Sequence, residues 1–294
     1  QGDVALEEPQ IAQTYRAITL AIADYVAKNG FHSVVLGLSG GIDSALAAAI
    51  AADALGGPQV TGIAMPSPYS SAHSLADAGD LAKRIRADYR EIPIGGVMEA
   101  FTAAMEMPGV AGENLQARIR GTLLMGVSNI EGQLVLAPGN KTELAVGYST
   151  IYGDAVGGFG PLKDVYKTQI WALSRWRNNL ALDRGEIPPI PESSITKPPS
   201  AELRPDQFDQ DSLPEYAILD PLLEEHLERR AGRAELLAAG YPANIVDWTL
   251  RAVRGAEWKR RQYPVGPKVT ARSFDAGRRV PITNNFRDTE DDHV

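Results

Sequence analysis

The chain has 294 residues, no cysteine, and 29 basic against 37 acidic residues, which gives a formal net charge of −8. Without cysteine it can form no disulfide framework, bind no metal through a thiolate and use no cysteine nucleophile. No apolar run approaches the ~20 residues of a membrane-spanning helix, and the first residues lack a signal-peptide pattern, so we expect a cytoplasmic protein without a membrane partner. The net acidity argues against a nucleic-acid partner.

The charge is distributed unevenly along the chain. Between Arg251 and Arg279, nine Lys and Arg residues stand against two acidic ones, a local charge of about +7. This asymmetry favours an anionic ligand near the C-terminal end, and a solvated basic surface is the alternative.

The hydrophobic pattern alternates between helix and strand. In chain order it predicts a helix over 11–26, a strand over 33–38, a helix over 43–55, a strand over 59–65, a helix over 74–86, a strand over 89–94, helices over 97–105 and 113–130, a strand over 133–137, and helices over 163–179, 221–239 and 244–261. The strands are too apolar for a sheet with one exposed face. We therefore predict an α/β fold, a doubly wound parallel sheet flanked by helices with further C-terminal helices, and ligands beyond the C-terminal ends of the strands.

One segment lacks this regularity. Residues 184–216 are rich in proline and show no sustained periodicity. A long irregular segment within a compact domain is typical of a functional lid, and a mobile linker is the alternative. We expect a single domain over 1–286 and a polar tail over 287–294.

The most specific local pattern is Leu38-Ser39-Gly40-Gly41-Ile42-Asp43-Ser44, between the first predicted strand and the second predicted helix. The glycines let the backbone approach an anion, and the helix N-terminus adds its positive dipole end. No lysine follows the glycines, so this is not the loop that grips a β/γ-phosphate with a cation. Asp43 suits such a site only if Mg²⁺ lies between it and the phosphates. A plain strand–glycine–helix turn is the alternative.

This S-G-G-x-D-S string resembles the signature of the pyrophosphate-loop ATP-cleaving enzymes, and from near residue 10 to near residue 286 the chain resembles an NAD synthetase. Further strings that carry the resemblance are Met65-Pro-Ser-Pro-Tyr-Ser-Ser71, Glu113-Asn-Leu-Gln-Ala-Arg-Ile-Arg120, Pro138-Gly-Asn-Lys-Thr-Glu-Leu-Ala145 with Tyr152-Gly-Asp154, and Lys197-Pro-Pro-Ser-Ala-Glu-Leu203 with Lys259-Arg-Arg-Gln262. They are similar to the synthetase portion of the glutamine-dependent form. That form carries a glutaminase domain with a catalytic cysteine, which we do not expect here.

The resemblance implies an adenine nucleotide alpha hydrolase-like fold and a two-step reaction. The carboxylate of deamido-NAD attacks the α-phosphorus of ATP, and ammonia then displaces AMP from the resulting NAD-adenylate. ATP is the co-substrate and Mg²⁺ the cofactor. The expected unit is a homodimer with the dinucleotide site at its interface, and ammonia is either free or supplied by a glutaminase partner.

The resemblance also assigns residues to roles. The ATP-binding set is Gly37, Leu38, Ser39, Gly40, Gly41, Ile42, Asp43, Ser44, Pro138, Lys167 and Ser200. The catalytic set is Asp43, Glu143 and Lys167, the metal ligands are Asp43 and Glu143, and the deamido-NAD set is Asn114, Arg118, Glu143 and Lys259, with Arg120 as a further candidate. The alternatives are that Glu143 is a plain helix-start acid and that Lys167 lies on a solvated helix face.

Two positions depart from the family pattern. Pro138 stands where many relatives have a Thr that contacts ATP, so only a backbone contact is expected there. Ile151 stands where ammonia-only members often have Lys, and Asp154 has no role assigned beyond the match. The competing functions are another amidotransferase of the same loop group, a tRNA-thiolating enzyme, which the missing cysteine disfavours, and a nucleotide-binding sensor without turnover.

Overall fold

The structure of the protein is a computed structural model, which describes residues 8–275, 277–278 and 280–283. The predicted tail over 287–294 and Arg279 lie outside the described residues. Within these ranges, no helix has both the length and the apolar character needed to cross a membrane.

Helices and strands alternate through the first half of the chain, as predicted. The strands are β1 (Val34–Gly37), β2 (Val60–Ala64), β3 (Asp88–Glu91) and β4 (Leu134–Val135). The helices are α1 (Gln10–Lys28), α2 (Ile42–Leu55), α3 (Ala72–Ile85), α4 (Gly95–Ala104), α5 (Val110–Glu131), α6 (Lys141–Val146), α7 (Lys167–Asp183), α8 (Glu192–Thr196), α9 (Tyr216–Leu227), α10 (Arg233–Ala238), α11 (Ala243–Gly255) and α12 (Glu257–Arg260). Single 3-10 turns lie at Gly57–Gln59 and Asp209–Asp211.

The four strands form one parallel sheet in the order β3-β2-β1-β4. Strand β1 is central, since Val34 lies opposite Val60 of β2 and also opposite Leu134 of β4. The strand order therefore reverses beside β1, and in open α/β sheets ligands bind at such a reversal, outside the C-terminal strand ends. The predicted parallel α/β fold is confirmed.

Helices cover both faces of the sheet because the central strands β1 and β2 carry buried side chains on both faces. In β1, Val34 and Leu36 pack against α1, α2 and α7, where Ile22 of α1 is fully buried. Val35 points to the opposite face and packs with Ile119 of α5. Helix α2 is apolar all round and buried along most of its length, so its N-terminus is held rigidly at the end of β1.

Three predicted helices differ in the structure. The helix predicted over 244–261 is two helices, α11 and α12, which are separated at Ala256. The helix predicted over 163–179 begins only at Lys167, so Lys163 and Lys167 do not share a helix face. Residues 161–164 form turns instead, because the Asp164 carboxylate accepts hydrogen bonds from the backbone N–H groups of Val269 and Thr270. The helix predicted over 221–239 is two helices, α9 and α10, and α9 contains Pro221 rather than beginning there. The short helices α6 and α8 were not predicted.

Candidate active site

The phosphate loop, residues 38–41, connects β1 to α2 and is shaped by its own side chains and by α3. Gly40 has a φ of +73°, and a Cβ on it would lie 2.3 Å from the backbone oxygen of Ser74, so only glycine fits. The Ser44 hydroxyl donates to the Gly41 oxygen at 3.0 Å and accepts from the Ser39 N–H at 3.3 Å. The predicted glycine requirement thus has a second cause, the close approach of α3.

A second loop follows β4 and lies beside the phosphate loop because β4 pairs with β1. In it, the fully buried Asn140 caps α6, with its Oδ1 accepting from the Glu143 N–H at 2.9 Å. Its Nδ2 donates to Asp43 Oδ1 at 2.8 Å. Asn140 was not singled out from the sequence, although an Asn followed three residues later by Glu is a capping-box pattern. It fixes Asp43 and Glu143 relative to each other.

Asp43, Glu143 and Lys167 converge at the C-terminal edge of the sheet. The Lys167 ammonium lies 2.5 Å from Asp43 Oδ2 and 3.4 Å from Glu143 Oε1, and the Lys167 side chain is only 3% exposed. The alternative of a solvated Lys167 is therefore wrong. Glu143 occupies the helix-start position weighed for it, because its Oε2 accepts from the Asn140 N–H at the start of α6. Its Oε1 faces the ammonium, and its role as a metal ligand stays a prediction.

The charges of this group depend on one another. Burial raises the pKa of the Glu143 carboxyl to about 8, an effect that Lys167 opposes and Asp43 reinforces. Burial alone would lower the pKa of the Lys167 ammonium, but Asp43 and Glu143 outweigh burial and hold that pKa above its ordinary value. The site therefore keeps a permanent cation beside a carboxyl whose pKa lies well above that of an ordinary glutamate.

A cap built from other elements holds Lys167 in place. The first backbone N–H groups of α7 point at side chains from α6 and α9: Lys167 N–H donates to Thr142 Oγ1 at 2.9 Å, and Thr168 N–H donates to Asp220 Oδ2 at 2.7 Å. Thr142 in turn donates to Asp220 Oδ1 at 2.6 Å. Sequence reasoning did not find Asp220, since it lies far from Lys167 in the chain and no local pattern marks it.

A cavity of about 280 Å³ opens beyond the strand ends, next to a smaller one of about 150 Å³. Of the predicted ATP-binding and catalytic residues, the larger cavity is lined by Gly37, Leu38, Ser39, Asp43, Ser44, Pro138, Glu143 and Ser200, and the smaller one adds Gly41, Ile42 and Lys167. Gly40 shapes the loop without lining either cavity. The residues predicted for ATP thus surround one pair of adjoining cavities.

A family model described as NAD synthase matches residues 14–263. The chain belongs to the NAD synthase family. It is similar to the glutamine-dependent NAD(+) synthetase of Acinetobacter baylyi, with 49% identity over 283 residues that cover 94% of this chain and 52% of that protein. The corresponding protein of Aquifex aeolicus is 47% identical over 97% of this chain and 50% of its own length. The chain spans about half the length of these curated relatives.

Solved structures of NAD synthetases share the fold. A glutamine-dependent NAD+ synthetase from Acinetobacter baumannii, in complex with ADP, aligns with a TM-score of 0.65 and 41% identity over 98% of this chain and 52% of that one. An NH3-dependent NAD synthetase from Campylobacter jejuni aligns with a TM-score of 0.68 and 29% identity over 88% of this chain and 98% of that one. The fold therefore occurs both in family members of about this length and within longer ones.

Three of the residues predicted to bind deamido-NAD contact another segment of this NAD synthase family member, residues 147–154. Asn114 Oδ1 accepts from Thr150 Oγ1 at 2.7 Å, and Arg118 Nε donates to the Ile151 oxygen at 3.3 Å. Lys259 Nζ donates to the backbone oxygens of Gly147 and Ser149, at 2.9 and 2.7 Å. These three side chains support the 147–154 segment and do not line the cavities, whereas Glu143 does.

Two further residues of this region line the larger cavity. Arg120 faces it and donates from Nε to the Met65 oxygen at 3.0 Å, and burial lowers its guanidinium pKa to about 10. The Asp154 carboxylate accepts from the Thr150 N–H at 2.6 Å, and burial raises its pKa to about 6. Asp154, which had no assigned role, thus orients the 147–154 segment and also faces the cavity.

The basic stretch near the C-terminus is partly neutralised within the fold. Arg260 is buried, donates to the Ala145 oxygen at the end of α6 at 2.7 Å, and pairs with Glu257 at 2.9 Å. Arg261 also pairs with Glu257, at 2.9 Å. For Arg260 the expected contact with an anionic ligand is wrong, because its donors hold α12 against α6. Arg261 pairs with Glu257 of its own turn and donates to the Val280 oxygen, and its side chain is 43% exposed, so for Arg261 the contact stays a prediction.

Asp43 and Glu143 offer the oxygen donors that Mg²⁺ prefers, on either side of one ammonium. Among the described residues, no three His, Asp or Glu side chains converge in a way that could hold a metal by themselves. Two carboxylates nevertheless fit Mg²⁺, which commonly takes its remaining ligands from water and substrate phosphates.

Proposed function

We propose that this chain converts deamido-NAD to NAD through an NAD-adenylate, with ATP as co-substrate, ammonia as nitrogen donor, and AMP and pyrophosphate as products. The observation that carries the proposal is the convergence of the phosphate loop with Asp43, Glu143 and Lys167 on one pair of cavities at the strand-order reversal. Membership of the NAD synthase family supports it.

In the first step a carboxylate oxygen of deamido-NAD bonds to the α-phosphorus of ATP, and the bond to the β-phosphate bridging oxygen breaks. A carboxylate is a weak nucleophile, so the chain must position the reactants and neutralise the leaving pyrophosphate. The loop N–H groups and the N-terminus of α2 would bind the β- and γ-phosphates, with a backbone contact from Pro138 and a hydroxyl from Ser200. The Lys167 ammonium supplies the nearby positive charge.

Asp43 and Glu143 would hold Mg²⁺, which supplies charge neutralisation at the phosphate oxygens when bound. Both carboxylates must then be ionised. The Asn140 amide and the Lys167 ammonium hold the two carboxylates in the orientation that this requires.

In the second step the nitrogen of ammonia attacks the activated carbonyl, loses a proton, and AMP departs with the electron pair of the broken carbon–oxygen bond. Asn114, Arg118 and Lys259 would bind deamido-NAD together with Glu143. Their present hydrogen bonds to the 147–154 segment support that role, because this segment joins them to the cavity through Asp154.

We also infer a homodimer, supported by an apolar surface on α4 and α5. No residue of α4 is buried, although the helix is rich in apolar side chains. Phe101, Met105 and Val110 are 47%, 61% and 68% exposed. Large apolar side chains exposed close together along the chain favour an interface between copies over a free surface.

The test is a turnover assay of the purified chain with ATP, Mg²⁺ and deamido-NAD, with either ammonium or glutamine added. We expect NAD from ammonium alone, together with one AMP and one pyrophosphate per NAD. NAD formed from glutamine alone would contradict ammonia as the direct donor for this chain. Activity from glutamine only after a glutaminase is added would support delivery by a partner, and no NAD under any condition would refute the proposal.

A further inference from the structure

The proline-rich segment contains a strained stretch over residues 197–209 that contributes lining residues to both cavities. Glu202 and Asp206 have φ values of +48° and +50°, a left-handed conformation that costs free energy for residues other than glycine. Within the stretch, Ser200 accepts from the Glu202 N–H at 3.1 Å, and Gln207 Oε1 accepts from the Leu203 N–H at 2.8 Å. Contacts with other elements must outweigh this strain.

The strongest of those contacts is made by the Glu202 carboxylate at the N-terminus of α3. Oε2 accepts from the Ser71 backbone N–H at 3.1 Å, and Oε1 accepts from the hydroxyls of Ser71 at 3.0 Å and Ser74 at 2.6 Å. Ser71 is the N-cap of the 14-residue helix α3, so the carboxylate also faces the positive end of the helix dipole. Three donors and a helix end thus hold one side chain of the segment.

Two neighbouring contacts reinforce this one. Lys197 Nζ donates to Ser74 Oγ and to Asp77 Oδ2, both at 3.1 Å, so a second charged side chain of the segment is fixed on α3. On the other side, Gln116 of α5 donates from Nε2 to the Leu203 oxygen at 2.8 Å. The segment is therefore fastened on both sides of the larger cavity.

We propose that Glu202 is a positioning residue, the latch that holds the 197–209 segment closed over bound ATP and the adenylate. This rests on the proposed function. The closed arrangement leaves space for a ligand, because the 280 Å³ cavity persists with Glu202 in contact with α3, and Ser200 lines it. The contact therefore closes the site without filling it.

The position of the segment controls whether water reaches the adenylate. An acyl-adenylate is hydrolysed by water, which breaks the same carbon–oxygen bond as ammonia does and yields AMP and deamido-NAD instead of NAD. A latched segment excludes that water and keeps one AMP formed per NAD formed. Loss of the latch uncouples the two products before it abolishes the first step.

The experiment compares Glu202→Ala and Glu202→Gln with wild type and with Glu192→Gln. Glu192 is a matched control because it is an exposed carboxylate on the neighbouring helix α8, and its ion pair is with Arg175 on the surface. AMP and NAD are measured together at low ammonium, and hydrogen exchange over 197–209 is measured without ligands. Glu202→Gln keeps the size of the side chain, so it separates loss of the charge from misfolding.

We expect the ratio of AMP to NAD to rise from one to about two or more in Glu202→Ala, with a smaller rise in Glu202→Gln. The KM for ATP should rise about tenfold, and the segment should exchange about tenfold faster. Glu192→Gln should match wild type.

Any one of three results in Glu202→Ala would overturn the proposal. They are a ratio of AMP to NAD that stays at one, unchanged hydrogen exchange over 197–209, and a lower KM for ATP. If wild type makes no NAD, the proposed function fails by itself. The exchange comparison then decides whether Glu202 holds the segment, since it needs no substrate.

Discussion

The cap on α7 offers a sharp test of how the site is held, through the substitution Thr142→Val. Thr142 is fully buried, accepts from the Lys167 N–H and donates to the Asp220 carboxylate, which is itself 3% exposed. Valine has nearly the same shape, so the change removes the hydroxyl without opening a cavity. It leaves two buried polar groups without their partner, the Lys167 N–H and one oxygen of Asp220.

The expected cost follows from those two groups. Each buried donor or acceptor left unsatisfied costs ~1–3 kcal/mol, and the one at a carboxylate lies toward the upper end. We therefore expect Thr142→Val to lower the free energy of unfolding by ~3–4 kcal/mol, a large share of the ~5–15 kcal/mol of a typical domain. Burial already raises the pKa of Asp220, and loss of the Thr142 donor should raise it further.

The measurement is urea unfolding of the chain without ligands, followed by circular dichroism, with Thr142→Ser as the matched control that keeps the hydroxyl. Serine should stay within ~1 kcal/mol of wild type, apart from the lost methyl group. Thr142→Val should also slow ATP–pyrophosphate exchange, because α7 then no longer holds Lys167 against Asp43. Two results would refute the idea that this cap holds Lys167. One is a decrease in the free energy of unfolding below ~1 kcal/mol for Thr142→Val, and the other is an equal decrease for the valine and serine variants.

Four further predictions concern charged side chains. Asp43→Asn should abolish pyrophosphate release measured by a coupled assay, and near-normal turnover would remove Asp43 from the Mg²⁺ site. The Glu143 carboxyl has a pKa of about 8 in the folded chain against 4.5 ordinarily. The value of kcat/KM for Mg-ATP should therefore rise with pH to a plateau, with its half-maximal value near pH 8. The free energy of unfolding should fall over about pH 4.5 to 8, because the folded state binds this proton more tightly. Lys167→Met should move the rising limb of that profile to higher pH, and an unmoved limb would show that another group titrates. Lys259→Ala should mainly raise the KM for deamido-NAD, and an effect confined to ATP would reassign the residue.

The local elements of this protein were predictable because their causes are local. Short, continuous apolar runs marked β1 and β2, and the glycines before Asp43 marked a strand-to-helix turn that can bind an anion. The same reasoning failed at Lys163, where helical spacing predicted a helix that the structure does not have. The Asp164 carboxylate there accepts hydrogen bonds from Val269 and Thr270, more than a hundred positions later, and the chain forms turns. The start of α7 depends on such distant partners, whereas the start of α6 has a local cap.

The sequence by itself determined the parallel α/β class, the phosphate loop and the family, because these depend on periodicity and on residues close together in the chain. Only the tertiary structure decided that Lys167 lies between Asp43 and Glu143, that Asn140 and Asp220 hold them, and that Glu202 fastens the proline-rich segment to α3. The physical reason is that burial and charge pairing arise between segments up to 131 residues apart, which strand order brings together and no local pattern records.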